Sequence, residues 1–199
     1  NVQRERLFSD AIINSMPGIF YLFDRQGRFL RWNENFEKVS GYSSAEIAAM
    51  HPTDLFEESE KEIIRERIGQ VFETGYSFAE ANFASRDGSR TPYYFTGVRV
   101  ELNGQTCLLG VGVDISERKR VEKALTDLSR AVNASGDIVF MTDRDGMITS
   151  VNSQFSDLYG YSPDEVVGKT TPRILKSGKQ TPQVYENFWA MIMRGELFR

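Results

Sequence analysis

Few side chains in this 199-residue chain could do covalent or metal chemistry, since it holds one cysteine, Cys107, and one histidine, His51. A single cysteine excludes an intramolecular disulfide, and together with a single histidine it excludes a Cys/His metal cluster. Nucleophilic catalysis needs a base such as histidine or lysine beside a serine or cysteine, and no such pair is recognisable in the sequence. We therefore expect neither a metal site nor a catalytic residue, and we expect Cys107 to be a small buried apolar residue.

The charge balance limits the kinds of partner that the chain is expected to bind. The chain has 24 basic and 28 acidic residues and a formal charge of −4, whereas a nucleic-acid-binding domain normally carries a basic face. Its apolar runs are far shorter than the ~18 residues that a membrane-spanning helix needs. We expect a cytoplasmic chain with no nucleic acid partner and no membrane contact by this segment. Its length allows one large domain or two small ones.

An internal repeat decides between these two organisations. A shift of 119 positions aligns residues 14–50 with residues 133–169 without a gap and gives 11 identities in 37 positions. The identical pairs are Asn14/Asn133, Ile19/Ile138, Asp24/Asp143, Arg25/Arg144, Gly27/Gly146, Asn33/Asn152, Phe36/Phe155, Gly41/Gly160, Tyr42/Tyr161, Ser43/Ser162 and Glu46/Glu165. After one inserted residue, Gly75 faces Gly195 and Phe78 faces Phe198. The chain is therefore two copies of one unit, the second cut short.

Residues that cap or stop elements predict the fold of the first copy. Asn33 and Ser43 are helix N-caps, Ser43 with Glu46 as its capping-box partner, and Asp87-Gly88 and Asn103-Gly104 are tight hairpin turns. The predicted helices cover residues 2–15, 34–40 and 57–73, and the predicted strands cover 19–23, 28–32, 76–85, 91–102 and 105–114. This order predicts an α+β unit with a five-stranded antiparallel sheet and helices on one face.

Both copies resemble PAS domains, the sensory modules of signalling proteins. The motifs that carry the resemblance are Asp24–Gly27, Trp32-Asn33, Phe36, Gly41–Ser43, Arg86–Ser89 and Gly110–Ser116, with Asp143–Gly146, Asn152, Phe155 and Gly160–Pro163 in the second copy. The resemblance implies a PAS fold with a pocket between helices and sheet. It also implies a signal that leaves through the helix after the last strand. Residues 1–118 would be a PAS domain with its N-terminal helix, 116–133 a connecting signalling helix, and 134–199 an incomplete second PAS domain.

Strand alternation predicts the pocket wall, because strand residues point to opposite faces with a period of two. Leu108, Gly110 and Gly112 share one face of the last strand, and Tyr93, Phe95 and Gly97 face the same way on its neighbour. The glycines leave room either for a small ligand or for an aromatic side chain from across the core. We expect the second arrangement, with the pocket filled by Phe95 and neighbouring aromatic residues.

The resemblance also bears on cofactors. Haem-binding PAS domains carry the iron ligand inside the long helix, where this chain has Ile64 or Arg65. Light-oxygen-voltage domains use a helix cysteine, whereas Cys107 lies in a predicted strand, and flavin-binding domains place a ligand-facing glutamine where this chain has Gly112. The family often has His-Pro in a loop or helix cap, so we expect a structural role for His51. No cofactor is expected, haem least of all, and FAD is the alternative.

The alternative of FAD comes from the second copy. There Leu175–Gly178, Thr181-Pro182, Tyr185 and Phe188-Trp189 resemble the helical segment of redox-sensing PAS domains that hold FAD. In those domains a tryptophan near Trp189 contributes to the flavin site. The same sequence pattern occurs in ligand-free relatives, and we expect Trp189 to be a core residue.

The connecting helix carries the predicted signal relay. Asp114 and Ile115 end the last strand, and Asp114 can accept backbone N–H groups at the start of the helix. Val121, Leu125, Leu128 and Val132 then follow at i, i+4, i+7 and i+11, which is a two-heptad apolar seam. The seam indicates either a parallel homodimer, formed together with the N-terminal helix, or a helix packed on its own domain.

The function implied is a sensory tandem PAS region of a bacterial signalling protein that passes a signal to an output domain. We expect that output to be a cyclic-di-GMP enzyme, a diguanylate cyclase or phosphodiesterase. The alternatives are a sensor histidine kinase and a ligand-free scaffold that only mediates dimerisation. The chain itself is not expected to be an enzyme.

The repeat also generates a prediction about the second copy. The offset of 120 places the counterpart of Asp114 at position 234, so about 35 residues and most of three strands would be lacking. The segment 138–141 would then lose the strand that completes its sheet, and we infer a fragment of a longer protein. We expect residues 121–199, expressed alone, to melt without a cooperative transition when heated under circular dichroism. A sharp transition from a monomer would contradict this interpretation of the repeat.

Overall fold

The computed structural model describes residues 2–134, 136–175 and 181–193. The chain divides into two compact units whose boundary lies between Val121 and Glu122. In the first unit the helices are α1 (Val2–Ser15), α2 (Glu34–Ser40), α3 (Ser44–Ala49) and α4 (Glu58–Thr74), with a short 3-10 helix over Pro52–Leu55. The strands are β1 (Ile19–Asp24), β2 (Phe29–Trp32), β3 (Tyr76–Ala84), β4 (Arg90–Leu102) and β5 (Gln105–Asp114).

The five strands form one antiparallel sheet in the order β2-β1-β5-β4-β3, which confirms the predicted fold class. The hairpin from β4 to β5 turns at Asn103 and Gly104, whose φ angles of 50° and 77° are both positive. Such a turn matches the twist of the flanking strands and is the reason for an Asn-Gly pair at this point. Strand β1 lies between β2 and β5, and in its pairing with β5 Ile19 is opposite Gly112 and Asp24 is opposite Cys107.

The inner face of the sheet carries an aromatic core. Phe23, Phe29, Phe36, Phe83 and Phe95 are buried there in a chain of ring contacts with centroids 5.6–6.3 Å apart. Helices α2, α3 and α4 cover this face. Edge-on and tilted ring pairs of this kind add to the free energy of burial, so these contacts stabilise the core.

The end of α1 covers part of the opposite face. Ile13 and Met16 pack against Phe20, Leu22 and the fully buried Cys107. Burial raises the pKa of the Cys107 thiol, and the carboxylates of Asp24 and Glu101 add to the effect. The expectation that Cys107 is a small buried apolar residue is therefore confirmed.

Helix α5 (Ser116–Ala134) leads from the first unit into the second. The second unit contains β6 (Phe140–Thr142), β7 (Ile148–Val151), α6 (Ser153–Tyr159), α7 (Pro163–Val166), a 3-10 helix over Pro172–Leu175, and α8 (Pro182–Met193). In the described part of this unit, β6 and β7 form a two-stranded sheet. Ile148, Phe155 and Val166 are its buried core.

One predicted boundary in the second unit is wrong. The sequence predicts a strand over residues 138–141, but β6 begins at Phe140. In the first unit the equivalent of Ile138, Ile19, pairs with Gly112 of β5. In the described part of the second unit, β6 has ladder partners on β7 alone. Because Ile138 has no such ladder partner, it lies outside the strand and is more than a third exposed.

Candidate ligand cavity and relay helix

A cavity of about 70 Å³ lies between the inner face of the sheet and helix α4. Its wall is almost wholly apolar and includes Ile19, Phe56, Ile64, Val71 and Phe95. Sites for drug-sized ligands have volumes of about 300–1,000 Å³. This cavity therefore fits a ligand of only a few heavy atoms.

The predicted pocket residues share one face, but they divide into two groups. Phe95, Gly97 and Leu108 line the cavity. Tyr93 is buried and stacks on Phe95 with ring centroids 5.6 Å apart, and it is not part of the cavity wall. At Gly112 an added Cβ would lie 2.9 Å from the Phe95 ring and 2.7 Å from Ile19, so no glutamine fits at this position.

Gly110 is covered by a residue that the sequence prediction missed. The Tyr21 ring crosses β5 so closely that a Cβ on Gly110 would lie 2.2 Å from its Cε2 atom. The Tyr21 hydroxyl donates a hydrogen bond of 3.1 Å to the Thr96 carbonyl oxygen, and burial raises the pKa of Tyr21. Tyr21 and Phe95 thus occupy the space over the two glycines. That aromatic residues fill the pocket in place of a cofactor stays a prediction.

The sequence prediction also missed the polar residues that line the cavity. Arg67, on α4, is half-buried and lines the cavity together with Ser77, the second residue of β3. Both side chains donate to Oε1 of Gln70, Arg67 Nη1 at 3.2 Å and Ser77 Oγ at 2.7 Å. A signal for Arg67 was present in the sequence, because it lies at i+3 from Ile64, on the apolar face of α4.

Asn33 joins three elements of the first unit through one buried side chain. Its Oδ1 accepts from the backbone N–H groups of Phe20 (3.0 Å) and Phe36 (3.1 Å). Its amide nitrogen donates to the carbonyl oxygens of Ile13 (3.3 Å) and Gly18 (2.9 Å). Asn33 thereby fixes the end of α1 and the start of β1, in addition to its predicted role as the cap of α2.

Asn152 repeats the same joint in the second unit. Its Oδ1 accepts from the N–H groups of Val139 and Phe155, and its amide nitrogen donates to the carbonyl oxygens of Val132 and Asp137. Val132 lies near the end of α5. The last turn of α5 is therefore held by the second unit as α1 is held by the first.

The first turn of α5 is held by the sheet. Asp114 Oδ1 accepts from the Ser116 N–H at 2.7 Å, and the buried Ile115 donates its N–H to the Pro92 carbonyl oxygen on β4 at 2.9 Å. Lys119 pairs with Glu80 on β3 at 2.6 Å. Asp114 and Ile115 thus join the sheet to α5, and Pro92 and Glu80 are the partners that the sequence did not reveal. A role of Asp114 and Ile115 in signal relay stays a prediction.

The predicted seam of α5 is exposed. Val121, Leu125 and Leu128 are 49%, 63% and 62% exposed, and no described residue of α5 is buried. Leu7, Phe8 and Ile12 of α1 are exposed as well. Both helices therefore carry exposed apolar side chains that no described residue of the chain covers.

His51 and Asp24 have structural roles. His51 caps the 3-10 helix, since its Nδ1 accepts from the Thr53 N–H at 3.3 Å, which confirms the expected cap. Asp24 is fully buried in the first turn of the sheet. Burial alone would raise the pKa of Asp24, but hydrogen bonds from Arg28 and Gln26 outweigh it and hold the pKa below its usual range.

Other sequence expectations concern residues that are only partly described. One is the segment that resembles FAD-binding domains, whose residues 176–180 lie outside the described residues. The side chain of Trp189 in α8 lies outside them as well. Across the described ranges, no group of three or more His, Cys, Asp or Glu side chains could hold a metal ion. Within the same ranges, every helix is too short or too polar to cross a membrane.

The comparisons with known proteins agree with this geometry. A PAS fold family model matches residues 13–120 and a second PAS fold model matches residues 126–199. The chain therefore belongs to the PAS fold family, and it is a tandem PAS sensory region of the kind that signalling proteins carry.

Individual relatives are distant. Over 136 residues the chain is 21% identical to the aerobic respiration control sensor protein ArcB of Escherichia coli. The matched stretch covers 64% of this chain and 17% of that protein. Over 56 residues it is 38% identical to the biofilm dispersion protein BdlA of Pseudomonas aeruginosa, and the match covers 28% of this chain and 13% of that protein. A solved PAS domain of an HTR-like protein from Haloarcula marismortui has a TM-score of 0.52 and 18% identity and covers 57% of this chain and 94% of that domain. The chain thus spans less than a fifth of the length of these two curated relatives.

The contact between Tyr21 and Gly110 generates a prediction. Gly110→Ala should displace the Tyr21 ring and weaken its bond to Thr96, and overpacking of this kind costs about 1–3 kcal/mol. Urea unfolding followed by circular dichroism measures the loss. Gly69→Ala is the control, because a Cβ at Gly69 meets open space on α4 and alanine favours a helix. Equal unfolding free energies for Gly110→Ala and the parent chain would contradict the close approach.

Proposed function

We propose that this chain is the sensory and regulatory tandem PAS region of a larger signal-transduction protein. It binds a small ligand in the first unit or relays a dimer-based conformational change, and it passes the signal through α5 to an output domain. The observation that carries the proposal is the attachment of α5 at both ends, to β4 through Ile115 and to Asn152 through Val132. PAS domains are non-catalytic sensors, so no reaction is assigned to this chain.

A short path joins the cavity to α5. Phe95 lines the cavity and lies three residues from Pro92 on β4, and Pro92 holds Ile115. Phe95 also pairs with Gly112 on β5, two residues from Asp114. A ligand that displaces the Phe95 ring therefore shifts the two strand ends to which the first turn of α5 is bonded.

The small volume of the cavity supports the proposal that the first unit takes neither flavin nor haem. A cavity of about 70 Å³ is smaller than an apolar cavity of about 150 Å³ that holds benzene. Gly112, where a flavin-binding relative would carry glutamine, has no room for that side chain. The ligand proposed for this unit is therefore a small metabolite.

The exposed stripes of α1 and α5 support a parallel homodimer. An apolar seam of two heptads is stabilised when a second helix covers it, and burial contributes about 25 cal/mol per Å² of apolar surface. A dimer formed along α5 would let a small change at Ile115 alter the pairing of two helices at once. For the output we propose a cyclic-di-GMP enzyme, with a sensor histidine kinase as the second candidate.

The seam is tested by a double substitution. Leu125→Glu with Leu128→Glu places two charges where pairing would remove most of their hydration, so light scattering should report a mass about half that of the parent dimer. Lys123→Gln with Arg130→Gln is the control. It changes the net charge by the same amount, on the side of the helix away from Leu125, and should stay dimeric. A dimeric Glu variant, or a monomeric parent chain, would contradict the proposed seam.

A further inference from the structure

Arg67 is the feature of the cavity that a purely apolar ligand would not use. It is half-buried on α4 and lines the cavity, and it donates a hydrogen bond to the neutral amide oxygen of Gln70. Among the described residues no carboxylate lies within salt-bridge distance of Arg67, whereas Arg28, Arg65 and Arg86 each have one. A cation that is partly removed from water and has no anionic partner is a ready binding point for an anion.

Ser77 lies beside Arg67 at the same point of the cavity. It is 5% exposed, and its hydroxyl donates to the same Gln70 oxygen that Arg67 contacts. Gln70 itself is exposed, so its amide can turn into solvent, and the buried Ser77 hydroxyl then needs a new acceptor. The guanidinium of Arg67 and the hydroxyl of Ser77 would then both donate to an anionic group that replaces the Gln70 oxygen.

We propose that the cavity binds a short monocarboxylate, with its acyl chain in the apolar part and its carboxylate on Arg67 and Ser77. The proposal rests on the proposed sensory function and names the class of ligand that is sensed. Arginine presents a planar fork of donors that matches a carboxylate. Since a cavity of about 150 Å³ holds benzene, the volume of about 70 Å³ fits an acyl chain of roughly two to four carbons.

Butyrate is the probe, and butyramide is its neutral match in size. Isothermal titration of the full 199-residue chain, at constant ionic strength, should show butyrate binding at least about tenfold more tightly than butyramide, which corresponds to about 1.4 kcal/mol. Arg67→Gln should bring the two affinities to within about twofold of each other, because the charged partner is lost. Arg67→Lys keeps the cation but loses the planar fork, so it should retain part of the preference.

Arg65→Gln is the matched control on the same helix. Arg65 is exposed, pairs with Glu62 and is not part of the cavity wall, so this variant should bind butyrate as the parent chain does. An equal loss in both Gln variants would mean diffuse attraction of anions and would overturn the site. Equal affinity of the parent chain for butyrate and butyramide, or binding of neither, would also overturn it. The sensory proposal is judged separately, by the mass of the Leu125/Leu128 variant.

Discussion

The constraint on which each unit depends is a buried asparagine whose four hydrogen bonds are all made inside the protein. Asn33 ties the last turn of α1, the first residues of β1 and the N-terminus of α2 to one side chain. A buried amide left with unpaired groups would cost about 1–3 kcal/mol for each. The entering helix, the strand and the next helix must therefore keep one arrangement, and Asn152 imposes the same arrangement on the second unit.

The size of the cavity follows from the pairing of β1 with β5. Strand β1, whose Phe20 is bonded to Asn33, meets β5 in a register that puts Tyr21 opposite Gly110 and Ile19 opposite Gly112. The Tyr21 ring then covers Gly110, and Ile19 and Phe95 close over Gly112. What is left is a small apolar cavity whose charged lining residue is Arg67. The glycines in β5 thus make room for the protein's own rings.

Much of this could be predicted from the sequence because its signals are local. The cap at Asn33, the Asn103-Gly104 turn, the alternation of β5 and the position of Asp114 each depend on neighbouring residues. The position of Tyr21 over Gly110 depends on the pairing of two strands almost ninety positions apart, which alternation within one strand does not reveal. Arg67 was missed because a charge within an apolar helix face is usually assigned to solvent. The start of β6 differs because no described strand pairs with Ile138 as β5 pairs with Ile19.

The central claim is that one asparagine holds the entering helix to its unit, and amide hydrogen exchange of Asn33→Asp tests it most directly. Aspartate keeps the acceptor oxygen for Phe20 and Phe36 but loses the two donors to Ile13 and Gly18. We predict faster exchange in the last turn of α1, with the protection of the Phe36 amide retained. Asn35→Asp, which removes an exposed bond to Pro17, should leave α1 unchanged. Equal protection of α1 in Asn33→Asp and the parent chain would contradict the claim.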